Sequence, residues 1–270
     1  MKFKALCVSF NIVLFLSLLI VFLLPAFVFD GSALAEFWLK NWFLGVIFAL
    51  IVVCVNMVFA SYWKTMGYLE KEDWPALAQY LETEAFSKKR FTYRKMSLLC
   101  DALLLLGDGA TVARLDDTLK AAKPALRVRL AVRFTSAALV ARDYSRIRAL
   151  SDELAGTKGA ETDWLAFHAG FASLLERDYE AASRRFTGLS ESAREPLVVA
   201  VSGFVAASVL PGKISGDSSV LVAAGTAARD RILGKYGKRK WDRLIDEAKS
   251  DMRVVVLGKI VDETTAWLFA

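Results

Sequence analysis

The sequence contains few of the side chains from which catalytic or metal sites are built. His168 is the single histidine among 270 residues, which excludes metal sites made of several histidines and leaves one imidazole for acid–base chemistry. Cys7, Cys54 and Cys100 lie far apart and form no Cys-x-x-Cys pair, so neither a disulfide framework nor a zinc site is indicated. Phosphate-binding glycine loops, Gly-x-Ser-x-Gly elbows and His-Glu-x-x-His helices are also missing. We therefore expect a protein without cofactor or metal that is not an enzyme.

Carboxylates close together in the sequence are the remaining candidates for acid–base chemistry. The sets are Asp116 with Asp117, Glu82 with Glu84, and Asp242, Asp246 and Glu247. Because all of them fall in helical patterns, we interpret them as acids on solvated helix faces rather than as a site.

Charge is missing from two long stretches near the N-terminus. Residues 5–29 and residues 41–63 carry no charged side chain, and Trp42 and Trp63 stand near the ends of the second stretch. Each stretch is long enough to cross about 30 Å of hydrocarbon, and tryptophan suits the interface with water. The sequence predicts a transmembrane hairpin over residues 1–63, with a loop of about eleven residues between its two spans.

Lysine placement predicts the orientation of this hairpin. Lys2 and Lys4 precede the first span, Lys40 alone lies between the spans, and Lys64 and Lys71 follow the second. Under the positive-inside rule both termini are cytoplasmic in a multi-pass protein of the cell (inner) membrane. A cleaved signal peptide, ending at the small residues of 33–35, is the alternative, although the apolar run is longer than the usual 7 to 15 residues.

Two further expectations concern the spans themselves. Asn11 and Asn56 lie at equal depth from the cytoplasmic side, which predicts an amide pair across the hairpin, whereas Cys7 and Cys54 are offset in depth and should not form a disulfide. Residues 42–71 contain no proline, so the second span should continue as an unbroken helix beyond the membrane.

An internal repeat organises the rest of the chain. Four aspartates follow one another at intervals of 35 residues, each between two helical patterns: Asp73, Asp108, Asp143 and Asp178. An aspartate in this position is typical of a helix N-cap, whose carboxylate accepts hydrogen bonds from the first helical turn. The predicted unit is a helix, a tight turn and a second helix.

This unit resembles the tetratricopeptide-repeat family, whose period is 34 residues. The match is best over residues 163–196 and covers roughly 58–210. The matching residues are Ala169 and Gly170 in the first helix, Asp178 and Tyr179 at the turn, Ala182 at the helix crossing, Phe186 at the late aromatic place, and Pro124 at the repeat-ending proline of an earlier unit. Asp116 and Ser151 depart from the pattern because they replace the late aromatic residue.

The resemblance implies an all-α fold with a solenoid of antiparallel helix pairs over residues 64–210. An irregular helical bundle with a coincidental period is the alternative. Beyond Leu210 the pattern stops, and residues 211–270 are expected to form helices at about 219–234 and 239–268 that cap the array.

In the tetratricopeptide family the first helix of each unit lines a concave groove that binds partner peptides. Projected onto this sequence, the groove positions are Arg94, Arg129, Arg133, Trp164, Phe167, His168 and Phe171. Arg129 and Arg133 resemble the basic pair with which some members hold a terminal carboxylate, although the asparagines of that clamp are missing. Core packing is the alternative role for the aromatic residues, and also for His168.

Two basic clusters are candidates for contact with anionic lipid. The first, Lys88, Lys89 and Arg90, follows the second span closely, and the second, residues 238–240, stands beside Trp241. Solvated helix ends are the alternative reading of both. The overall excess of six positive charges is too dispersed for a dedicated nucleic-acid binder.

These features lead to three functional hypotheses. The first is a membrane-anchored scaffold of a bacterial inner membrane whose repeats bind a partner protein or peptide. The second is an integral subunit of a membrane complex, in which the hairpin is the main interaction element. The third is a protein that binds anionic lipid through its basic clusters.

Overall fold

The computed structural model describes residues 3–214, 218–249, 251, 254 and 257–270. Across these ranges the chain is helical apart from turns and short connections, and it contains no β-strand. The prediction of an all-α fold is therefore confirmed for the described residues. The chain divides into two compact units, Met1–Leu77 and Ala78–Ala270.

The first unit begins with two long apolar helices and a short one between them. These are α1 (Phe3–Val28), α2 (Gly31–Asn41) and α3 (Phe43–Glu70). The long helices contain the two predicted spans, and both are long and apolar enough to cross a membrane. The predicted connecting loop is wrong, because those residues form α2. Trp38 of α2 stacks on Phe22 of α1 with ring centroids 4.6 Å apart. The number of residues between the spans could not predict this contact.

Apolar side chains of α1 and α3 point outward. Phe15 and Leu50, for example, are 62% and 61% exposed. The polar contact lies between the helices, where Asn56 Nδ2 donates to Asn11 Oδ1 over 3.0 Å. The predicted amide pair is confirmed.

The third helix is continuous from Phe43 to Glu70, as the absence of proline predicts. Its 28 residues span about 42 Å at 1.5 Å per residue. Cys7 and Cys54 are both free thiols.

Four turns repeat one hydrogen-bond pattern every 35 residues. The residue before each aspartate has a positive φ of 54° to 71°, at Glu72, Gly107, Arg142 and Arg177. The N–H of each aspartate donates to the carbonyl five residues earlier over 2.8 to 3.0 Å. Each carboxylate then accepts the N–H three residues later over 3.0 to 3.1 Å. The helix therefore ends in a left-handed turn and the next begins on an N-cap, which confirms the predicted role of Asp73, Asp108, Asp143 and Asp178.

The helices on either side of these turns form successive pairs. Their bounds are α4 (Trp74–Glu82, followed by a π-helical turn Thr83–Ser87), α5 (Tyr93–Leu106), α6 (Gly109–Ala122), α7 (Pro124–Val140), α8 (Tyr144–Leu154), α9 (Thr162–Leu175) and α10 (Tyr179–Ser192). From α5 onward each helix packs on the next, and α5, α7 and α9 also pack side by side. Pro124, expected at the end of a repeat, is the first residue of α7, where a missing N–H is tolerated.

Small and large side chains meet where α9 crosses α10. A Cβ on Gly170 would lie 3.4 Å from the Phe186 ring, and Ala182 is fully buried. Phe186 itself is fully buried. This is the packing that the small and aromatic positions of residues 163–196 predict.

The C-terminal part contains more helices than the sequence predicts. They are α11 (Pro196–Phe204, followed by a π-helical turn Val205–Val209), α12 (Ser219–Leu233), α13 (Lys238–Lys249) and α14 (Gly258–Leu268). The single helix expected over 239–268 is wrong, because α13 ends at Lys249. Beyond it, the Val254 N–H donates to the Asp251 carbonyl and the Leu257 N–H to the Val254 carbonyl, and both side chains are buried.

Candidate functional site

The two predicted groove arginines of α7 lie together against α5. The Arg129 guanidinium stands over the ring of Tyr93, with its carbon 4.2 Å from the ring centroid. Arg133 Nε donates to Asp101 Oδ1 over 3.0 Å. These contacts join α5 and α7, which pack side by side. We call Arg94, Arg129 and Arg133 together the arginine face.

The charges of the arginine face are only partly balanced. Arg94 and Arg129 are exposed, and within the described part of the chain neither side chain has a hydrogen bond or ion pair. Their N–H donors are therefore open to a ligand, while stacking on Tyr93 fixes the plane of Arg129.

Arg133 differs because it has acidic neighbours. Burial pulls the pKa of Arg133 down, but the charge of Asp101 and smaller contributions from Tyr93 and Asp251 more than offset this and raise the pKa. Asp251 belongs to the segment after α13, so a carboxylate of the same chain already stands near this face. Arg133 is therefore a fixed cation whose charge Asp101 and Asp251 already offset in part.

The aromatic half of the predicted groove is mostly core. Trp164 is 7% exposed, Phe167 1% and His168 0%, so their placement on an open groove is wrong. These side chains are covered because α7, α8, α10 and α11 all pack against α9. Phe171 is partly exposed and stacks on Phe167 with centroids 6.1 Å apart.

His168 has a hydrogen-bond role inside this core. Its Nδ1 lies 2.7 Å from Thr135 Oγ1 of α7. The residue serves contact between helices, as the packing alternative predicts.

An ionic cluster with Asp116 and Arg127 buried at its centre joins α6, α7 and α8. Arg127 Nε donates to Asp116 Oδ1 over 2.6 Å, and its two terminal nitrogens donate to the carboxylate of Glu153 over 2.8 and 3.1 Å. Arg146 donates to the other oxygen of Asp116 over 2.8 Å and to Asp117 over 2.7 Å. Burial lowers the pKa of Arg127, but the hydrogen bonds to Glu153 and Asp116 outweigh it and the pKa is raised.

Sequence reasoning missed this cluster because it treated Asp116 as a solvated acid. The residue is 3% exposed and occupies the place that Phe186 fills two units later. A charged residue at a core position of the repeat could have predicted the cluster, because a buried carboxylate needs a cationic partner.

Glu84 is a second acid that the sequence wrongly places on a solvated face. It is 2% exposed, and its oxygens accept hydrogen bonds from Lys88 over 2.6 Å and Lys95 over 2.7 Å. These two hydrogen bonds lower the pKa of Glu84 from 4.5 to about 2. The predicted lipid-contact residues Lys88, Lys89 and Arg90 are all exposed, but the Lys88 ammonium is paired with Glu84.

The other predicted acids remain near the surface. Asp117, Asp242, Asp246 and Glu247 are exposed, and Glu82 is partly exposed. Among the residues that the structure describes, no three His, Cys, Asp or Glu side chains are grouped to hold a metal ion. Burial raises the pKa of the Cys100 thiol, which disfavours the reactive thiolate.

An open cleft of about 550 Å³ lies between the α8–α9 connection and the start of α11. Its wall includes Asp163, whose Oδ2 accepts the N–H groups of Arg194 and Glu195 over 2.7 and 3.1 Å. That carboxylate holds the chain just before α11 begins.

Two comparisons with known proteins find relatives of this chain. A family model described as "Uncharacterised Treponema protein" matches residues 111–270. A protein of Treponema pallidum (strain Nichols), named "Uncharacterized protein", is 31% identical over 280 residues, which cover 100% of this chain and 88% of the relative. No solved structure matches the chain. The similarity to the relative includes the apolar helices as well as the repeats.

Proposed function

We propose that this chain, which belongs to the uncharacterised Treponema protein family, is a membrane-anchored scaffold that binds an acidic segment of a partner protein. The observation that carries the proposal is the arginine face. Two exposed guanidiniums there have no counter-ion among the described residues, beside a third that is fixed by Asp101.

The chemistry of this face favours a carboxylate ligand. A guanidinium presents a planar fork that binds carboxylates through two parallel hydrogen bonds. Tyr93 holds Arg129 by its ring face, so the N–H edge of that fork stays available. Asp101 and Asp251 already offset the charge of Arg133, so an acidic ligand would bind through Arg94 and Arg129.

The repeats supply the support for this face. We propose that they form a divergent tetratricopeptide-like solenoid with α5, α7 and α9 on one side. Four turns with the same hydrogen-bond pattern at 35-residue spacing and the side-by-side packing of α5, α7 and α9 favour this arrangement over an irregular bundle. A peptide bound along the first helices would meet Arg94 and Arg129 before the partly exposed Phe171.

The anchor in this proposal is the pair α1 and α3. Both are long and apolar enough to span a bilayer, and the bond between Asn11 and Asn56 favours a retained hairpin over a removed signal peptide. The lysine distribution favours an orientation with both termini in the cytoplasm of a bacterial inner-membrane protein.

The test is site-specific crosslinking in intact membranes. A photoreactive residue at Ser97, on α5 between Tyr93 and Asp101, should give a discrete adduct with one protein. The double variant Arg94→Ala, Arg129→Ala should lose most of that adduct, because truncating an interface hot spot weakens binding by about 2 kcal/mol or more.

A matched control removes the same charge elsewhere. Lys158 and Arg184 are exposed and belong to the α8–α9 connection and to α10, so Lys158→Ala, Arg184→Ala should leave the adduct unchanged. If both double variants retain the adduct equally, the arginine face is not the binding site.

A second candidate is an integral subunit in which the hairpin itself binds other membrane helices. The outward apolar side chains of α1 and α3 favour it, although lipid would cover them equally well. Moving residues 64–270 onto an unrelated anchor distinguishes the two, since retained adduct formation supports the scaffold and loss supports the subunit.

A further inference from the structure

A cluster of cations at the turn between α12 and α13 has no counter-ion among the residues that the structure describes. Its five exposed members are Lys235, Lys238, Arg239, Lys240 and Arg243. None of these side chains has a hydrogen bond or ion pair to another described residue, and Asp242 is the one acid among residues 235–243. The net charge of the segment is therefore strongly positive.

Helix stability does not explain this placement. Residues 238–240 occupy the first turn of α13, which contains no acidic residue. The N-terminus of a helix is the positive end of its dipole and favours anions, so three cations there repel it. Side chains that oppose the preference of their own helix terminus indicate a role in function rather than in folding stability.

The cations are nevertheless held firmly in position. On the opposite side of α13, Trp241 is fully buried and its Nε1 donates to Thr265 Oγ1 of α14 over 3.1 Å. Ile245 is also buried. These contacts fix α13 with its charged residues outward, where the exposed acids Asp242, Asp246 and Glu247 accompany the cations.

Helix α12, which leads into this turn, has few charges on its exposed side. Its exposed apolar residues are Val220, Val222, Ala223, Ala227 and Leu233, and Asp230 is the one charged residue among the exposed positions of this helix. The helix cannot turn this side inward, because its other side is fitted tightly against the preceding one. A Cβ on Gly225 would lie 2.4 Å from the Ala207 Cβ, so only glycine fits there.

We propose that the exposed side of α12 and the five cations form a surface, here called the basic–apolar surface, that docks on the anionic headgroups of a phospholipid bilayer. Cations attract lipid phosphates while neighbouring aliphatic side chains enter the headgroup region. The chain also has two helices long and apolar enough to cross a bilayer, so lipid is available to it. This proposal is independent of partner binding at the arginine face.

The composition of the surface favours lipid over nucleic acid or protein. Proteins that hold single strands stack bases on exposed aromatic rings, whereas Trp241 is buried and Tyr236 is half-buried against it. Protein hot spots are large anchors clustered in pockets, whereas the apolar side chains here are small or scattered along the helix.

The experiment uses the full chain in nanodiscs, with an environment-sensitive fluorophore on Leu233→Cys after the three native cysteines have been replaced by alanine. In nanodiscs of phosphatidylcholine mixed with phosphatidylglycerol, the emission should shift to the blue and gain intensity relative to phosphatidylcholine alone. Added salt should reduce the shift, because it screens charges on the surface.

Two variants sharpen the result. Lys238→Gln, Arg239→Gln, Lys240→Gln should abolish the shift while the circular dichroism remains that of the parent, since these side chains have no partner among the described residues. A fluorophore on Lys158→Cys, an exposed position of the α8–α9 connection, should respond equally in both lipids.

The proposal is overturned if the emission at position 233 does not depend on lipid charge, or if the triple variant keeps the full shift. A shift produced in neutral nanodiscs by a single-stranded oligonucleotide, without one in anionic lipid, would overturn it in favour of nucleic acid.

Discussion

The hairpin of α1 and α3 and the repeats of α5 to α10 place their polar groups in opposite ways. In the hairpin, apolar side chains face outward and a neutral amide pair lies between the helices. In the repeats, apolar side chains form the core and an ionic cluster is buried among them. Each interior excludes water, so each polar group inside must find its partner in the protein.

The two regions also differ in the charge of their interior polar partners, which are neutral in the hairpin and ionic in the repeats. Each asparagine of the hairpin keeps a hydrogen bond within its own helix, to Cys7 or Val52, and the contact between helices is an addition. Asp116 and Arg127 have no such local alternative, since their partners belong to other helices. Loss of a partner should therefore be severe in the repeats and mild in the hairpin.

The largest expected effect is the loss of Arg127. In Arg127→Met the carboxylate of Asp116 keeps only Arg146 and Glu153 keeps only Lys120. Removing one member of a buried pair typically costs about 3 to 5 kcal/mol of stability. We expect a loss of this size in denaturant unfolding of the full chain in detergent, followed by circular dichroism.

The double variant Asp116→Leu, Arg127→Met supplies the decisive comparison. It removes both buried charges, and well-packed apolar replacements of buried pairs are often close to neutral, so most of the lost stability should return. Arg184→Met, at an exposed position, should stay within about 0.5 kcal/mol of the parent. A single Arg127 variant as stable as this control would mean that the cluster contributes nothing.

The same contrast explains how much of the fold could be predicted from sequence. The N-caps at Asp108 and Asp143 were predictable because the hydrogen bonds join residues three apart. The amide pair was predictable because depth in a membrane fixes which residues of an antiparallel hairpin meet.

Sequence reasoning failed where the partner is distant or where burial is shared among several helices. Asp116 depends on arginines of α7 and α8, which no local pattern connects. Phe167 lies on the first helix of its pair, but its burial depends on several neighbouring helices. Within the arginine face, the two arginines of α7 were found because spacing of four places them on one side of a helix. The supporting Tyr93 and Asp101 were missed because they belong to α5.

Glu84 provides a test of intermediate size, through pH. Its pKa is about 2 in the folded protein and 4.5 as the ordinary value, so the folded state binds fewer protons than the unfolded one between these values. The stabilisation is therefore complete above pH 4.5 and is lost as pH falls toward 2, by about 1 to 3 kcal/mol.

The measurement is the free energy of unfolding of the parent and of Glu84→Gln across this range. Glutamine does not titrate, so the parent should be the more stable protein at neutral pH, and the difference should shrink as Glu84 becomes protonated. A difference that stays constant from neutral pH down to pH 2 would show that the bonds to Lys88 and Lys95 do not hold the carboxylate ionised.

The smallest expected effect is in the hairpin. Asn56 Nδ2 donates to Asn11 Oδ1 over 3.0 Å and also to the Val52 carbonyl over 2.9 Å, while Asn11 Nδ2 donates to the Cys7 carbonyl over 2.9 Å. When either residue becomes leucine, the other amide keeps its local bond. The coupling between them should therefore fall near the average of about 0.6 kcal/mol for polar contacts between membrane helices, and below the maximum of about 2.

A double-mutant cycle with Asn11→Leu and Asn56→Leu, measured by unfolding in detergent, isolates this coupling from the change in helix hydrophobicity. Ser17→Ala is the matched control, because the Ser17 hydroxyl donates within its own helix, to the Val13 carbonyl, and should show no coupling to Asn56. A coupling between Asn11 and Asn56 as strong as that of the buried ion pair would remove the distinction between the two regions. No coupling at all would mean that apolar packing alone holds α1 against α3.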